Sequence, residues 1–267
     1  MKRTKICALA LCASMALGVL ASCDDPNATT TTTTESSASV SSSEAPIVFT
    51  DESSIATAST EPTLEKIIFE GDAQTNANTF ITNFTEVFFP DYSKDTATLE
   101  QYLNFAHIHF KVNSQDKIKY ENLAEGDFET IAFADILATV GKYFSVGVSE
   151  DECKALPAPS KDITGPAYKD GRVWFRGGAG ESYSSIGIVD YALNSGDGNL
   201  TLEFTIYQIK WEVYNELRGD DIKKYYKLTP EQAAADNTLE KVGTGTAYVG
   251  IGQSGSYYLL NYKTKSV

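Results

Sequence analysis

"NLTLEFTIYQIKW", residues 199–211, alternates side chains that seek an apolar core with side chains that do not. Successive residues of a strand point to opposite faces. Leu202, Phe204 and Ile206 therefore share one face, and Glu203, Tyr207 and Trp211 share the other. The same period of two runs through "RVWFRG" (172–177), "SYSSIGIVDYAL" (182–193), "TGTAYVGIG" (244–252) and "SYYLLNYKTK" (256–265). "NSGDGN" (194–199) and "GQSGS" (252–256) carry hairpin turn residues between neighbouring runs. These runs predict an antiparallel meander.

Toward the N-terminus the period lengthens to that of a helix. Phe80, Ile81, Phe84, Val87 and Phe88 recur at helical spacing until Pro90 stops them, predicting a helix over 76–89. Leu99, Tyr102, Leu103, Ala106 and Phe110 mark a second helix over 97–112. "KIKYEN" and "DFETIAF" read as two strands about a turn at Glu125-Gly126, and "ADILATVGKYF" as a third helix over 134–144. Residues 149–166 hold three prolines and few large apolar residues, the composition of a loop. In "LTPEQAAADN" Thr229 is an N-cap, Pro230 the first helical residue and Gln232 completes a capping box, so a short helix interrupts the meander. The expected fold class is α+β, with N-terminal helices packed on one face of a C-terminal sheet. Cystatin-like and NTF2-like cone folds share this appearance by analogy only, and the analogy carries no function.

At the N-terminus, Lys2, Arg3 and Lys5 precede an uncharged Ala- and Leu-rich stretch from Ile6 to Ser22, the layout of an export signal. The stretch ends in Leu20-Ala21-Ser22-Cys23, which resembles the lipobox of bacterial lipoprotein precursors. That resemblance implies cleavage between Ser22 and Cys23, a diacylglycerol on the Cys23 thiol, and palmitate-type acylation of the new amine. Two or more acyl chains give stable anchoring where one is marginal. The expected address is the outer, extracytoplasmic face of a bacterial cell membrane.

Cys7 and Cys12 leave with the signal, so Cys153 is the one thiol left after lipidation of Cys23. No intramolecular disulfide can then form, and the fold rests on its core. Carboxylates around Cys153 in "SEDECKALPAP" disfavour a catalytic thiolate. Residues 24–63 contain 19 Ser or Thr, seven carboxylates and no Lys or Arg, too little apolar surface to order a chain. The expected organisation is a signal peptide at 1–22, the lipidated Cys23 with its tether at 23–63, and one globular domain at 64–267. From residue 64 onward 29 Asp and Glu outnumber 19 Lys and Arg, a formal net charge of −10. That charge argues against nucleic acid, whose binding requires neutralised phosphates.

"FAHIHF" (105–110) holds both histidines, His107 and His109. On a helix they diverge by about 200°, placing His109 at the core and His107 toward water or a neighbouring element. No Cys or further His completes an N/S ligand set, so neither metal nor cofactor is expected. "GIGQSG" (250–255) matches a dinucleotide fingerprint in spelling but is followed by strand, and "RGGAGES" (176–182) lacks the Gly-Lys-Ser/Thr that grips phosphate. Ser114 and Lys117 spell S-x-x-K without partner motifs. "RGD" at 218–220 is a chance-length match.

For a carboxylate-pair hydrolase acting on envelope or glycan material, Glu203 and Asp190 on neighbouring strands are the acids to inspect first. Arg172, Trp174 and Arg176 on one run, with Glu203, Tyr207 and Trp211 on another, either complete a core or form an exposed face for a glycan, peptide or protein ligand. A non-catalytic binding domain is the leading expectation, because no catalytic motif survives.

Overall fold

A computed structural model describes residues 64–124, 126–178, 185–194, 196–252 and 255–267. The signal segment, the lipobox at Leu20–Cys23, the tether and most of "RGGAGES" lie outside the described residues.

The fold is α+β. One sheet has six antiparallel strands in the order β1 (Glu65–Ile67), β7 (Ser185–Asn194), β8 (Asn199–Ile209), β9 (Leu239–Ile251), β10 (Tyr257–Ser266) and β2 (Tyr92–Ser93). A second sheet has four, in the order β3 (Lys119–Leu123), β4 (Gly126–Ala132), β6 (Arg172–Arg176) and β5 (Ala167–Lys169). Helices α1 (Gly71–Thr85), α2 (Leu99–Asn113) and α3 (Phe133–Phe144) join both sheets in one apolar core, which takes Leu202 and Phe204 from one and Ile131, Val173 and Phe175 from the other.

The strand "RVWFR" is thus not part of the meander. β4 occupies one of its edges and β5 the other, leaving no edge for the larger sheet. Asp170 and Gly171 adopt φ of 51° and 72° and close the β5–β6 hairpin. Such a pair matches the twist of the strands that it joins, and Asp-Gly is a favoured sequence for it.

Two further expectations change. Residues 149–166 are not all loop: α4 (Glu150–Lys154) starts at a capping box in which Ser149 Oγ accepts from Glu152 N–H at 3.1 Å. Phe88 does not join the α1 stripe. The helix closes with Phe89 N–H donating to Phe84 C=O (3.0 Å) and Phe88 N–H to Thr85 C=O (3.2 Å), so Phe88 sits in the left-handed region at φ 51° and points outward, 59% exposed. Phe89 turns inward against Phe84 instead. This is a Schellman closure with Phe at the position that glycine favours. Phe88→Gly is expected to raise stability by about 0.5–1 kcal/mol, seen as a higher denaturant midpoint with unchanged slope.

Between β8 and β9 the chain makes α5 (Trp211–Tyr214), a 3-10 segment (Gly219–Lys227) and α6 (Pro230–Ala235), the last beginning at the Thr229–Gln232 capping box. This excursion covers the outer face of the large sheet. Ile186, Ile188, Tyr207 and Ile209 pack there against Tyr225, Ala233 and Leu239 in a second core.

α1 is the keystone because it is buried on its polar side as well. β1 pairs with β7 only over Ala192–Asn194, leaving the rest of that edge without a strand partner among the described residues. Polar side chains of α1 take the place of a strand: Asn78 Oδ1 accepts from Val189 N–H (2.8 Å), Gln74 Nε2 donates to Val189 C=O (2.9 Å) and Thr82 Oγ1 accepts from Gly187 N–H (3.1 Å). The helix can come this close because Gly187 has no Cβ, which would collide with Ile81. An exposed strand edge invites pairing with another chain, and this edge is covered.

Candidate functional site

The candidate binding face is taken apart by the second sheet, and the alternative of a core role holds for Trp174 and Tyr207. Trp174 is buried beside Phe128 and Ala167, with Nε1–H donating to Lys169 C=O at 3.2 Å. Arg172 donates to Thr130 Oγ1 (2.8 Å) and to Thr130 C=O (2.7 Å), and Arg176 lies over the Phe128 ring. On the large sheet, Tyr207 is buried in the second core. Trp211 is in α5 rather than on β8, exposed and stacked on Tyr214. The six residues do not form one surface.

The two nominated acids do meet. Asp190 occupies a bulge in β7 and accepts from Thr205 Oγ1 at 3.0 Å. Burial raises its pKa, and Glu203 is raised by burial and by repulsion from Asp190. They share the outer sheet face with Tyr207 and line none of the cavities described below.

The histidines behave as a helix dictates. His107 stacks on Phe175 (ring centroids 4.0 Å apart) and meets Glu129 at 2.6 Å, while Lys111 holds the other Glu129 oxygen at 3.3 Å. This cluster pins α2 to β4. Among the described residues no group of three or more metal-ligating side chains is assembled. Cys153 is buried and free, its thiol pushed up by burial and by Glu152 and Glu150. Ser114 caps α2 and Lys117 pairs with Asp135, so S-x-x-K is structural. In "RGD", Arg218 donates to the carbonyls of Asn215 and Leu217 while Asp220 pairs with Lys223. "GIGQSG" lies at the β9–β10 turn, where Gly252 N–H donates to Ser256 C=O.

The arrangement with chemical potential is one that sequence reasoning missed. α1 carries Asn83 and is capped by Glu86, α2 carries His109 and Asn113, and α3 carries Tyr143, all meeting inside the helical layer. Asn113 Nδ2 donates to Glu86 Oε1 at 2.6 Å and lies 3.2 Å from His109 Nδ1, which accepts as a neutral imidazole. Tyr143 O–H donates to Asn83 Oδ1 at 3.1 Å. A cavity of about 410 Å³ opens onto Glu86 and Asn113, walled by Val112, Leu217, Ile222 and the rings of Tyr214 and Tyr226. A second, of about 330 Å³, opens at the Asn83, Lys142 and Tyr143 end. Both volumes fall within the range of small-molecule sites.

Glu86 is only 3% exposed, and burial pushes its carboxyl up to about 7 against a smaller opposing effect of the Asn113 bond. Burial, then the charge of Lys142, lowers His109 to about 4. The phenols of Tyr143 and Tyr226 are raised by burial and by Glu86 and stay neutral. A carboxyl displaced this far in a cavity is the usual mark of a working site.

No family model, curated protein or solved structure matches this chain. The site must be judged on its own chemistry.

The two shifted groups oppose each other in stability. Glu86 has a folded pKa above its unfolded value of 4.5, so its contribution is complete below pH 4.5 and is lost as pH rises through about 7. His109 has a folded pKa below 6.5, so its contribution is present above that pH and is lost as pH falls through about 4. Between these limits the two cancel in the wild type. Glu86→Gln leaves only the histidine. Between pH 7 and pH 4 the variant is expected to lose about 3 kcal/mol more than the wild type, read from denaturant midpoints at the two pH values.

Polar positions of α1 were the available signal. Gln74, Asn78 and Thr82 repeat at i, i+4 along α1, and Asn83 and Glu86 lie three apart at its C-terminal end.

Proposed function

We propose that this chain is a bacterial lipoprotein, held by acyl chains on Cys23 at the extracytoplasmic face of the cell membrane, whose folded domain binds a small ligand without transforming it. The observation that carries the binding reading is the Glu86 cavity: a concave pocket of mixed polar and apolar lining with a buried carboxyl at its wall. Glycan and peptide ligands were expected from a flat aromatic face, and with Trp174 and Tyr207 buried that basis is gone. A pocket of about 410 Å³ suits a small molecule instead.

Anchoring follows from Leu20-Ala21-Ser22-Cys23 together with the acidic hydroxylated stretch after it. Among the described residues no helix is long and apolar enough to cross a membrane. Cys23→Ser is expected to release the protein from the membrane fraction, and mass spectrometry of the wild type should find a diacylglyceryl group on Cys23 at the mature N-terminus. Ligand binding is tested by screening the full-length protein in nanodiscs against a small-molecule library. Leu217→Trp, which fills the cavity from its rim, serves as the control that must abolish any hit.

The alternative of a hydrolase acting through a carboxylate pair draws on Asp190 and Glu203, both raised by burial, with Glu203 raised further by Asp190. They lie partly exposed on the outer sheet face and line neither cavity, whereas glycoside hydrolysis needs its acids across a cleft. Binding is the stronger reading.

A further inference from the structure

We infer that the Glu86 cavity takes a small alkylammonium ion, its charged head on the Glu86 carboxylate and its hydrocarbon against Val112, Leu217 and Ile222. The inference rests on reading this cavity as the binding site.

Four observations select that class. Among the described residues, Asn113 is the group seen donating to the carboxyl, so the carboxylate has acceptor capacity left for a ligand rich in N–H. One part of the wall is hydrocarbon and phenol, from Val112, Leu217, Ile222, Tyr214 and Tyr226, beside the polar Asn113, Asp220 and Lys223, so the space suits a ligand with a short apolar body as well as a donor head. The rings of Tyr214 and Tyr226 line the same space, and aromatic faces attract cations. The lysine at the rim, Lys223, is already paired with Asp220 at 2.7 Å, so the wall presents no free cation to an anionic ligand. A metal ion is a poor alternative, because its first shell would hold a single carboxylate and an amide.

Ionisation sets the conditions. The carboxyl titrates near pH 7, so a proton competes with the ammonium ion below that value. Charged and titratable groups around it are His109 from α2, Tyr143 from α3, and Tyr214, Asp220, Lys223 and Tyr226 from the 211–227 segment, while Lys142 lies at the other cavity and acts on His109. His109 changes charge near pH 4, well below the window. Affinity for a cation is therefore expected to weaken about tenfold from pH 8 to pH 6, following protonation of Glu86.

The test uses the full-length chain in zwitterionic nanodiscs and three matched probes, n-butylammonium, n-butanol and butyrate, read as saturable shifts of the thermal midpoint. Expected results are a shift with n-butylammonium at pH 8, about tenfold weaker apparent affinity at pH 6, and loss of at least tenfold in Glu86→Gln and in Leu217→Trp. Equal binding of n-butanol, or binding of butyrate that Leu217→Trp abolishes, overturns the cation class and leaves the cavity as the site. Binding of n-butylammonium that Leu217→Trp does not alter overturns both, as does a saturable shift with none of the probes.

Discussion

Phe84→Ala is expected to cost about 3–5 kcal/mol, read as a fall in denaturant midpoint with little change in slope. Phe84 is fully buried, and its ring lies within 5.1–6.0 Å, centroid to centroid, of Phe80, Phe89, Phe105, Tyr143, Phe144 and Tyr262. Those rings come from all three long helices, from the segment after α1 and from β10. No disulfide links the described residues, so this nest of aromatics supplies much of the apolar packing between the helical layer and the sheet. The surrounding rings belong to elements fixed elsewhere and can collapse only partly into the space, which places the cost toward the upper end. A loss below about 2 kcal/mol would mean that the ring cluster is not the centre of the core.

Asn78→Ala is expected to be as damaging through a different cause. Asn78 is completely buried and meets four partners: Nδ2 donates to the carbonyls of Tyr226 and Leu228, and Oδ1 accepts from Val189 N–H and Gln74 Nε2–H. That uses both amide donors and both acceptor sites. Removing the amide strands a sheet N–H and two carbonyls away from water. At roughly 1–3 kcal/mol for each buried group left unsatisfied, the loss is on the order of 3–5 kcal/mol. Asn78→Asp should also be severe, because a carboxylate cannot donate to the two carbonyls. Hydrogen exchange would separate this from a general loss of packing: the Val189 amide and the 219–228 segment are expected to lose protection first, since Asn78 ties them to α1.

The helices were legible because their apolar residues repeat every three or four positions, and the limits read from that pattern differ from the observed ones by at most five residues. The Thr229–Gln232 cap was equally readable, since a capping box involves only residues three apart. Ser149–Glu152 carries the same motif and was passed over because the prolines after it dominate the composition. "RVWFR" was misplaced for a different reason. Its alternation is identical to that of the strands of the meander, and period two reports that a residue pair faces opposite sides without naming the neighbouring strand. Asp170-Gly171 was the local clue, since it ties β6 to β5. Trp211 follows the parity of β8, but the strand ends at Ile209, so parity ceased to describe it.

The site was harder still. Glu86, His109, Asn113 and Tyr143 span 58 positions of the sequence, and none is unusual at its own position. Their significance comes from meeting inside a layer that excludes water, which is what moves Glu86 to about 7 and His109 to about 4. Asp190 and Glu203 show the opposite case: neighbouring strands made their encounter foreseeable, and only the 211–235 excursion over that face was not.

By itself the sequence determined the α+β class, the order of the three long helices and the longer strands, and the divergence of His107 from His109. Each depends on backbone periodicity and on contacts a few residues apart. The tertiary structure decided which sheet each strand joins, which tryptophan is buried, and which carboxyl lies at a cavity. Those outcomes depend on edges and desolvation shared between elements far apart in the chain, and local pattern carries no record of them.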